Sequence, residues 1–267
     1  MLKESRAELR ASPSDLCPQC GSFLIETLQQ AAPKITQTTT MPRPKTVFET
    51  TAPRFGIPEL DAMVGKFCSS LCLTGRMAEP FFWRALVRSL LPVRAGGKGF
   101  SKVLLIDAGN CSDIYQCVDY ARQFGLDIDK LLDGIIVTRA FTVHQLAALV
   151  SDVGKAARRF GADLVAVADM AKMFVSDPQV SEKEEDSLAE MVAGSLAVAA
   201  HEYPVLAFMS EFRSSNWLAR FDTQMRLCEN DGRVLLAARN RGDGSKHLSA
   251  ATIPASDIWV IKRVKGE

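Results

Sequence analysis

Short apolar runs recur along the chain at lengths typical of buried strands. They lie at Ser70 to Thr74, Val103 to Asp107, Gly134 to Thr138, Leu164 to Asp169 and Val205 to Met209. A continuous apolar run of this length is expected where both faces of a sheet are covered, as in a parallel sheet.

Segments with helical spacing separate these runs, and they cover 81–91, 113–124, 143–160 and 184–201. Strands that alternate with helices predict a mostly parallel sheet with right-handed crossovers and helices on both faces.

The C-terminal third has a different pattern. Short runs at 222–228, 234–239, 247–253 and 258–261 are separated by turn sequences rich in Gly, Asn and Asp. Such runs predict hairpins that extend the edge of the sheet. We therefore expect an α/β fold, mostly parallel, with a C-terminal antiparallel extension.

The first 46 residues differ from this pattern, so we expect a tail at 1–46 and a core domain at 47–267. Gln29 to Pro44 is rich in Thr, Gln and Pro and predicts a flexible linker. Cys17 and Cys20 have the spacing of half a zinc knuckle, but a closed structural site needs four ligands. Cys68 and Cys72 could supply the other two, although their place beside the first strand favours the core.

The charge is nearly balanced, with 32 Lys and Arg against 31 Asp and Glu, which gives a net charge of +1. This balance argues against non-specific nucleic-acid binding by the whole surface, so any DNA contact must be local. No apolar run approaches the roughly 20 residues that span a bilayer, and we expect a cytoplasmic protein without a membrane partner, associated with the nucleoid if it binds DNA. The chain has seven cysteines, and this odd number argues against a disulfide framework.

Several ordered segments resemble RecA/RadA-type recombinases over residues 47–261. They are Phe55 to Asp61, Val103 to Asp107, Tyr120 to Asp127, Thr138 to Phe141 with His144 and Gln145, Asp163 to Asp169, and Tyr203 to Phe212. A series of matches in the right order is more specific than one motif. The resemblance implies a RecA-like core.

That family binds ATP through a loop of the form GxxxxGK[ST] after the first strand. Here the corresponding residues are Gly75 to Phe82, and only the first glycine is kept. Glu79 would repel a phosphate, Pro80 has no N–H, and Phe81 and Phe82 replace the lysine and the magnesium-binding hydroxyl. Either the aromatic residues are core residues of the first crossover helix, or they fill an empty phosphate cavity. Both hypotheses predict no nucleotide cofactor.

Other residues that the resemblance assigns to catalysis also differ. Gly109 lies where the family has a catalytic glutamate, and Ser210 with Glu211 replaces an Asn-Gln pair. Asp169 keeps the position of a magnesium-associated aspartate, and we interpret it as a structural or vestigial carboxylate. We therefore expect no catalytic residue and no enzyme.

In active recombinases two loops follow the DNA. The first would fall at Ser176 to Glu190, which is acidic, and the second at Phe212 to Phe221, which holds Arg213, Trp217 and Arg220. A second group of basic residues flanks the C-terminal turns. The default interpretation is that these basic residues are ordinary charged residues of the surface and of edge strands. The more specific alternative is that they bind DNA. The residues of that second group that we take as DNA-binding candidates are Arg239, Arg241 and Lys246.

The Phe-x-x-Ala element through which active members polymerise is absent from Thr46 to Ala52. A long filament is therefore not expected, whereas a dimer or a pairing with an active partner is compatible with the sequence. Our first hypothesis is a non-catalytic paralog that binds an active RadA-like recombinase or other repair protein, or DNA. The alternatives are a regulatory scaffold unrelated to DNA, and an ATPase with an aberrant phosphate loop.

Overall fold

Eight strands account for the sheet in the computed structural model, which describes residues 53–64, 68–176, 180–210, 215–230, 233–240 and 248–254. The strands are β1 (Ser70–Thr74), β2 (Val103–Asp107), β3 (Ile135–Arg139), β4 (Leu164–Ala168), β5 (Val205–Met209), β6 (Thr223–Asn230), β7 (Arg233–Asn240) and β8 (Leu248–Pro254).

The strand order is β3-β2-β4-β5-β1-β6-β7-β8. Neighbouring strands from β3 to β6 pair in parallel, and β7 and β8 add to that edge in antiparallel register. The mostly parallel sheet with an antiparallel C-terminal extension is therefore confirmed. The carboxyl ends of β1, β2, β4 and β5 meet at one edge, because parallel strands all point the same way.

Helices connect these strands and cover both faces of the sheet. They are α1 (Pro58–Met63), α2 (Ala78–Leu90), α3 (Ile114–Phe124), α4 (Ile128–Gly134), α5 (Val143–Ser151), α6 (Val153–Phe160), α7 (Met170–Ser176), α8 (Glu182–Ala199) and α9 (Ser215–Leu218).

Short polar side chains fix where several helices begin. Asp113, Asp127, Thr142 and Ser181 each accept a hydrogen bond from the backbone N–H three residues later. Such N-caps satisfy amide groups that the helix itself leaves without partners. The cap at Asp127 begins α4, a short helix that the apolar pattern did not predict.

The predicted helix over 143–160 is two helices. Asp152, with φ −101° and ψ 8°, ends α5 and begins α6, so the helical hydrogen bonds are interrupted there. The third strand also begins one residue later than predicted, because Gly134 still belongs to α4.

Two apolar cores lie on opposite faces of the sheet. One is formed by the sheet with α2 and α3 and includes Phe81, Phe82 and Trp83. The other is formed with α5, α6 and α8. No helix in the described part of the chain is long and apolar enough to cross a membrane.

Some predictions fall on residues outside the described ranges. These are the tail at 1–46 with Cys17 and Cys20, the segment Thr46 to Ala52, Arg213, Arg241, Lys246 and the run at 258–261. They stay predictions. Among the residues that are described, no three His, Cys, Asp or Glu side chains form a group that could hold a metal ion.

Candidate functional site

The loop between β1 and α2 lies against the backbone of β6. Gly75 has φ +97°, and a Cβ atom at this residue would lie 2.3 Å from the carbonyl oxygen of Leu227. Only glycine fits such a close approach in the left-handed region. The N–H of Met77 donates to the same Leu227 carbonyl at 3.4 Å, and the N–H of Ala78 donates to the Gly75 carbonyl at 3.0 Å. Two amides that could face a phosphate are thus bonded within the protein.

The aromatic residues that follow this loop belong to the core. Phe81 and Phe82 are both 0% exposed. The Phe81 ring meets Phe55 edge-on with 6.2 Å between ring centroids, and Phe82 lies 4.9 Å from Phe208. Of the two interpretations of these rings, the structure therefore favours core residues of the first crossover helix.

The other two unusual residues of the loop have local roles. Glu79 accepts a hydrogen bond from the indole N–H of Trp83 at 3.4 Å. The carbonyl of Pro80 accepts a hydrogen bond from the Tyr120 hydroxyl at 3.1 Å, which links α2 to α3. Burial raises the pKa of Tyr120 to about 12, so this hydroxyl remains a hydrogen-bond donor well into the alkaline range.

Asp169 lies at the end of β4, beside the end of β5. It is 4% exposed and has φ +47°, an uncommon conformation in which Asp and Asn are over-represented. Its carboxylate accepts hydrogen bonds from the backbone N–H of Ser210 at 2.9 Å and from the Ser210 hydroxyl at 2.7 Å. These bonds give Asp169 a structural role that needs no metal ion.

Gly109 packs directly against Asp169. Its N–H donates to the Ala168 carbonyl at 2.9 Å. A Cβ atom at Gly109 would lie 2.5 Å from the Asp169 Cβ, which is closer than real contacts allow. The position that the recombinase resemblance assigns to a catalytic glutamate has no room for a side chain in this arrangement.

Sequence reasoning missed an ion pair at the same edge of the sheet. Asp107 is 0% exposed, and its carboxylate contacts the Arg139 guanidinium through Nε at 3.0 Å and Nη2 at 2.9 Å. The backbone N–H of Cys111 also donates to Asp107 at 2.9 Å. The sequence feature that could have predicted this ion pair is an aspartate at the end of one apolar strand and an arginine at the end of the next. The two residues are neighbours because β2 and β3 pair with Asp107 and Arg139 in register.

Of the predicted DNA-binding residues that the structure describes, Trp217 and Arg220 are engaged in contacts within the protein. Trp217 is 8% exposed, and its ring packs against Phe174 with 4.6 Å between centroids, so no base can stack on it in this conformation. Arg220 forms an ion pair with Glu190. Most of the segment expected to be the first DNA loop is helix, because α8 begins at Glu182. Arg239 is exposed on β7.

Arg239 lines a cleft of about 810 Å³ beside the β1–α2 loop. Arg76 and Arg226 line it as well, and all three arginines are exposed. The cleft lies at the carboxyl ends of β1 and β5 and over the open face of β6 and β7. Its remaining lining residues are Thr74, Gly75, Ser210, Leu218, Gln224, Cys228, Glu229 and Ala237.

Residues 82–210 match the Rad51 family model. The match covers just under half of the 267 residues, from the second turn of α2 to the end of β5. It leaves out β1, the loop from Gly75 to Phe81, and the C-terminal strands β6 to β8. No curated protein matches the chain.

Proposed function

From the Rad51 family match over residues 82–210, we propose that this chain is a non-catalytic, recombinase-like accessory protein. It would act in homologous recombination and repair by binding an active recombinase, DNA, or both. The match supports a role in recombination. The loss of ATPase chemistry is our inference from the β1–α2 loop and its surroundings.

The observation that carries this proposal is the burial of Phe81 and Phe82. Both rings are 0% exposed at positions where the resemblance would require a lysine and a hydroxyl at a phosphate. A triphosphate needs backbone amides and cations that face it. Neither benzyl side chain supplies them, and both are fixed in the core by neighbouring rings.

Three further features support the same conclusion. The family match begins at Phe82, so the segment that would bind phosphate lies outside it. Both carboxylate oxygens of Asp169 accept a hydrogen bond from Ser210. Gly109 has no space for a carboxylate that could activate water.

The first test is thermal unfolding of the full chain with increasing ATP and Mg²⁺, beside an active recombinase with an intact phosphate loop as the positive control. A ligand present at about 100 times its Kd stabilises a protein by about 2.7 kcal/mol. Millimolar ATP therefore reveals any site of micromolar affinity. We expect the melting temperature of this chain to stay constant while that of the control rises. A magnesium-dependent rise for this chain would contradict the proposal.

The second test addresses the accessory role. Purified active recombinase is passed over immobilised full-length chain at low and at moderate salt, with and without DNA. Retention of the recombinase, directly or through DNA, is expected. If neither recombinase nor DNA is retained, the chain is better explained as an interaction scaffold outside recombination.

A further inference from the structure

Three arginines of the cleft come from separate segments that the fold brings together. Arg76 follows β1, Arg226 is on β6 and Arg239 is on β7. The register pairs Arg226 with Thr74 on one side and with Ala237 on the other. Arg239 is two residues beyond Ala237 on the same face, so it is a diagonal neighbour of Arg226 at about 7–8 Å.

Among the described residues these arginines have no carboxylate partner, a property that they share with the exposed Arg94 and Arg233. Arg139, Arg158 and Arg220 each form an ion pair, with Asp107, Glu202 and Glu190 respectively. Arg76, Arg226 and Arg239 form none within the described ranges. Like charges held this close repel one another, and a bound anion would relieve that repulsion.

We propose that this arginine cleft binds the phosphodiester backbone of a nucleic acid. The proposal deepens the function proposed above and rests on it. Arginine presents a planar fork of donors that matches phosphate oxygens, and the cleft places three such groups on one concave surface. A local site of this kind is what a chain with a net charge of +1 requires if it is to contact DNA.

The lining residues also indicate what kind of binding to expect. None of the described lining residues is aromatic, so these residues offer no platform on which bases could stack. Contacts to phosphates carry no sequence information by themselves. Binding should therefore depend strongly on salt and little on base sequence. Glu229 also lines the cleft, and its negative charge repels a phosphate and so limits the affinity.

A free nucleotide fits the cleft less well than a polynucleotide. The amides of Met77 and Ala78 are bonded to carbonyls, so the loop cannot surround a triphosphate. The arginines line an open sheet face, which suits a chain of phosphates better than a compact anion.

The test uses fluorescence anisotropy of a labelled, mixed-sequence single-stranded oligonucleotide with the full chain. Three phosphate contacts predict a slope of log K against log salt of about −2, or about 20-fold weaker binding between 50 and 200 mM salt. Arg226→Glu and Arg239→Glu should each weaken binding at least about tenfold and make the slope shallower by about 0.7 or more. Duplex DNA of the same sequence shows whether single or double strands are preferred.

Arg94→Glu is the matched control. Arg94 is exposed in the short turn Val93–Ala95 that follows α2, and that turn precedes β2, at the opposite edge of the sheet from the cleft. The substitution changes the net charge equally, and we expect it to change affinity less than about twofold, since exposed charges beyond a Debye length are screened. Arg226→Gln and Arg239→Gln remove the charge without reversing it. Each should weaken DNA binding less than the glutamate substitution at the same residue.

Cys228 provides an independent readout, because its half-exposed side chain lines the cleft. Bound oligonucleotide should slow the labelling of Cys228 by a maleimide. The labelled protein is then digested, and mass spectrometry measures the extent of labelling at Cys228. Equal DNA affinity for the wild type, Arg226→Glu and Arg239→Glu would overturn the cleft as the site. If polyglutamate slows the labelling of Cys228 and no DNA binds, the cleft proposal is also overturned, in favour of an acidic protein partner. Neither result concerns ATP, so the thermal test of the proposed function stands separately.

Discussion

Ser210 donates two hydrogen bonds to Asp169, one from its backbone N–H and one from its hydroxyl, and these bonds join the ends of β5 and β4. Of the two interpretations of Asp169, structural or vestigial, these bonds favour the structural one. The Asp169 carboxylate has its hydrogen bonds satisfied by protein groups at the edge of the sheet where the arginine cleft lies.

Asp169→Ala should lower the free energy of unfolding by about 2 kcal/mol, because it removes both acceptors and places alanine in a left-handed conformation. Ser210→Ala removes only the hydroxyl bond at an exposed residue and should cost about 1 kcal/mol. Urea denaturation of the two variants and the double variant gives their interaction energy. Ser151→Ala, at an exposed hydroxyl on α5, is the control and should stay within about 0.5 kcal/mol. An Asp169→Ala variant as stable as the wild type would remove the structural role.

Gly109→Ala and Gly154→Ala should have opposite effects. A methyl group at Gly109 would collide with the Asp169 Cβ, so we expect a loss of about 1–3 kcal/mol. Gly154 lies within α6 with nothing near its added Cβ, so alanine should stabilise the helix by up to about 1 kcal/mol. Chemical denaturation of both variants checks the signs. A Gly109→Ala variant of wild-type stability would show that a side chain can be accommodated there after all.

Phe81→Lys tests whether restoring a cation restores a phosphate site. The side chain is 0% exposed, so a lysine should cost at least about 4 kcal/mol through lost packing and a buried charge. Phe81→Leu keeps the position apolar and should cost only about 1–2 kcal/mol. Melting curves with and without ATP and Mg²⁺ measure both effects. A folded Phe81→Lys protein whose melting temperature rises with ATP would indicate a latent phosphate site instead of a closed core.

The apolar pattern predicted β1, β2, β4 and β5 because these strands are buried on both faces. It also predicted β3, which lies at the edge of the sheet and is only partly buried. It placed β1, β2 and β5 at their observed limits. It did not predict the break at Asp152, since both helices there present apolar residues to the same core.

The candidate site was less predictable than the fold. The identity of residues 79–82 predicts that the phosphate loop is lost, and this stays a prediction. By contrast, Arg76, Arg226 and Arg239 are separated by up to 163 positions in sequence, and only strand register makes them neighbours. The sequence does not show that Trp217 is buried, because the ring that it packs against, Phe174, lies 43 positions earlier in the chain.

Alkaline pH should destabilise the protein through its buried thiols. Burial raises the pKa of Cys68 to about 11 and that of Cys117 to about 12. An unfolded thiol loses its proton near its ordinary pKa of about 8.5, whereas these thiols keep theirs in the folded protein. Above that pH the unfolded state binds fewer protons, so stability falls as pH rises and the contribution is lost once the folded pKa is passed.

The expected slope is up to about 1.4 kcal/mol per pH unit for each such thiol between pH 9 and 11. Cys117→Ala removes one titrating group, so its stability should decline less steeply with pH, although the variant is less stable at pH 7 because a buried side chain is shortened. Cys228→Ala, at a half-exposed residue, is the control and should follow the wild-type slope. Urea denaturation under reducing conditions at several pH values measures the slopes. Parallel curves for Cys117→Ala and the wild type would show that the Cys117 thiol does not govern the alkaline loss of stability.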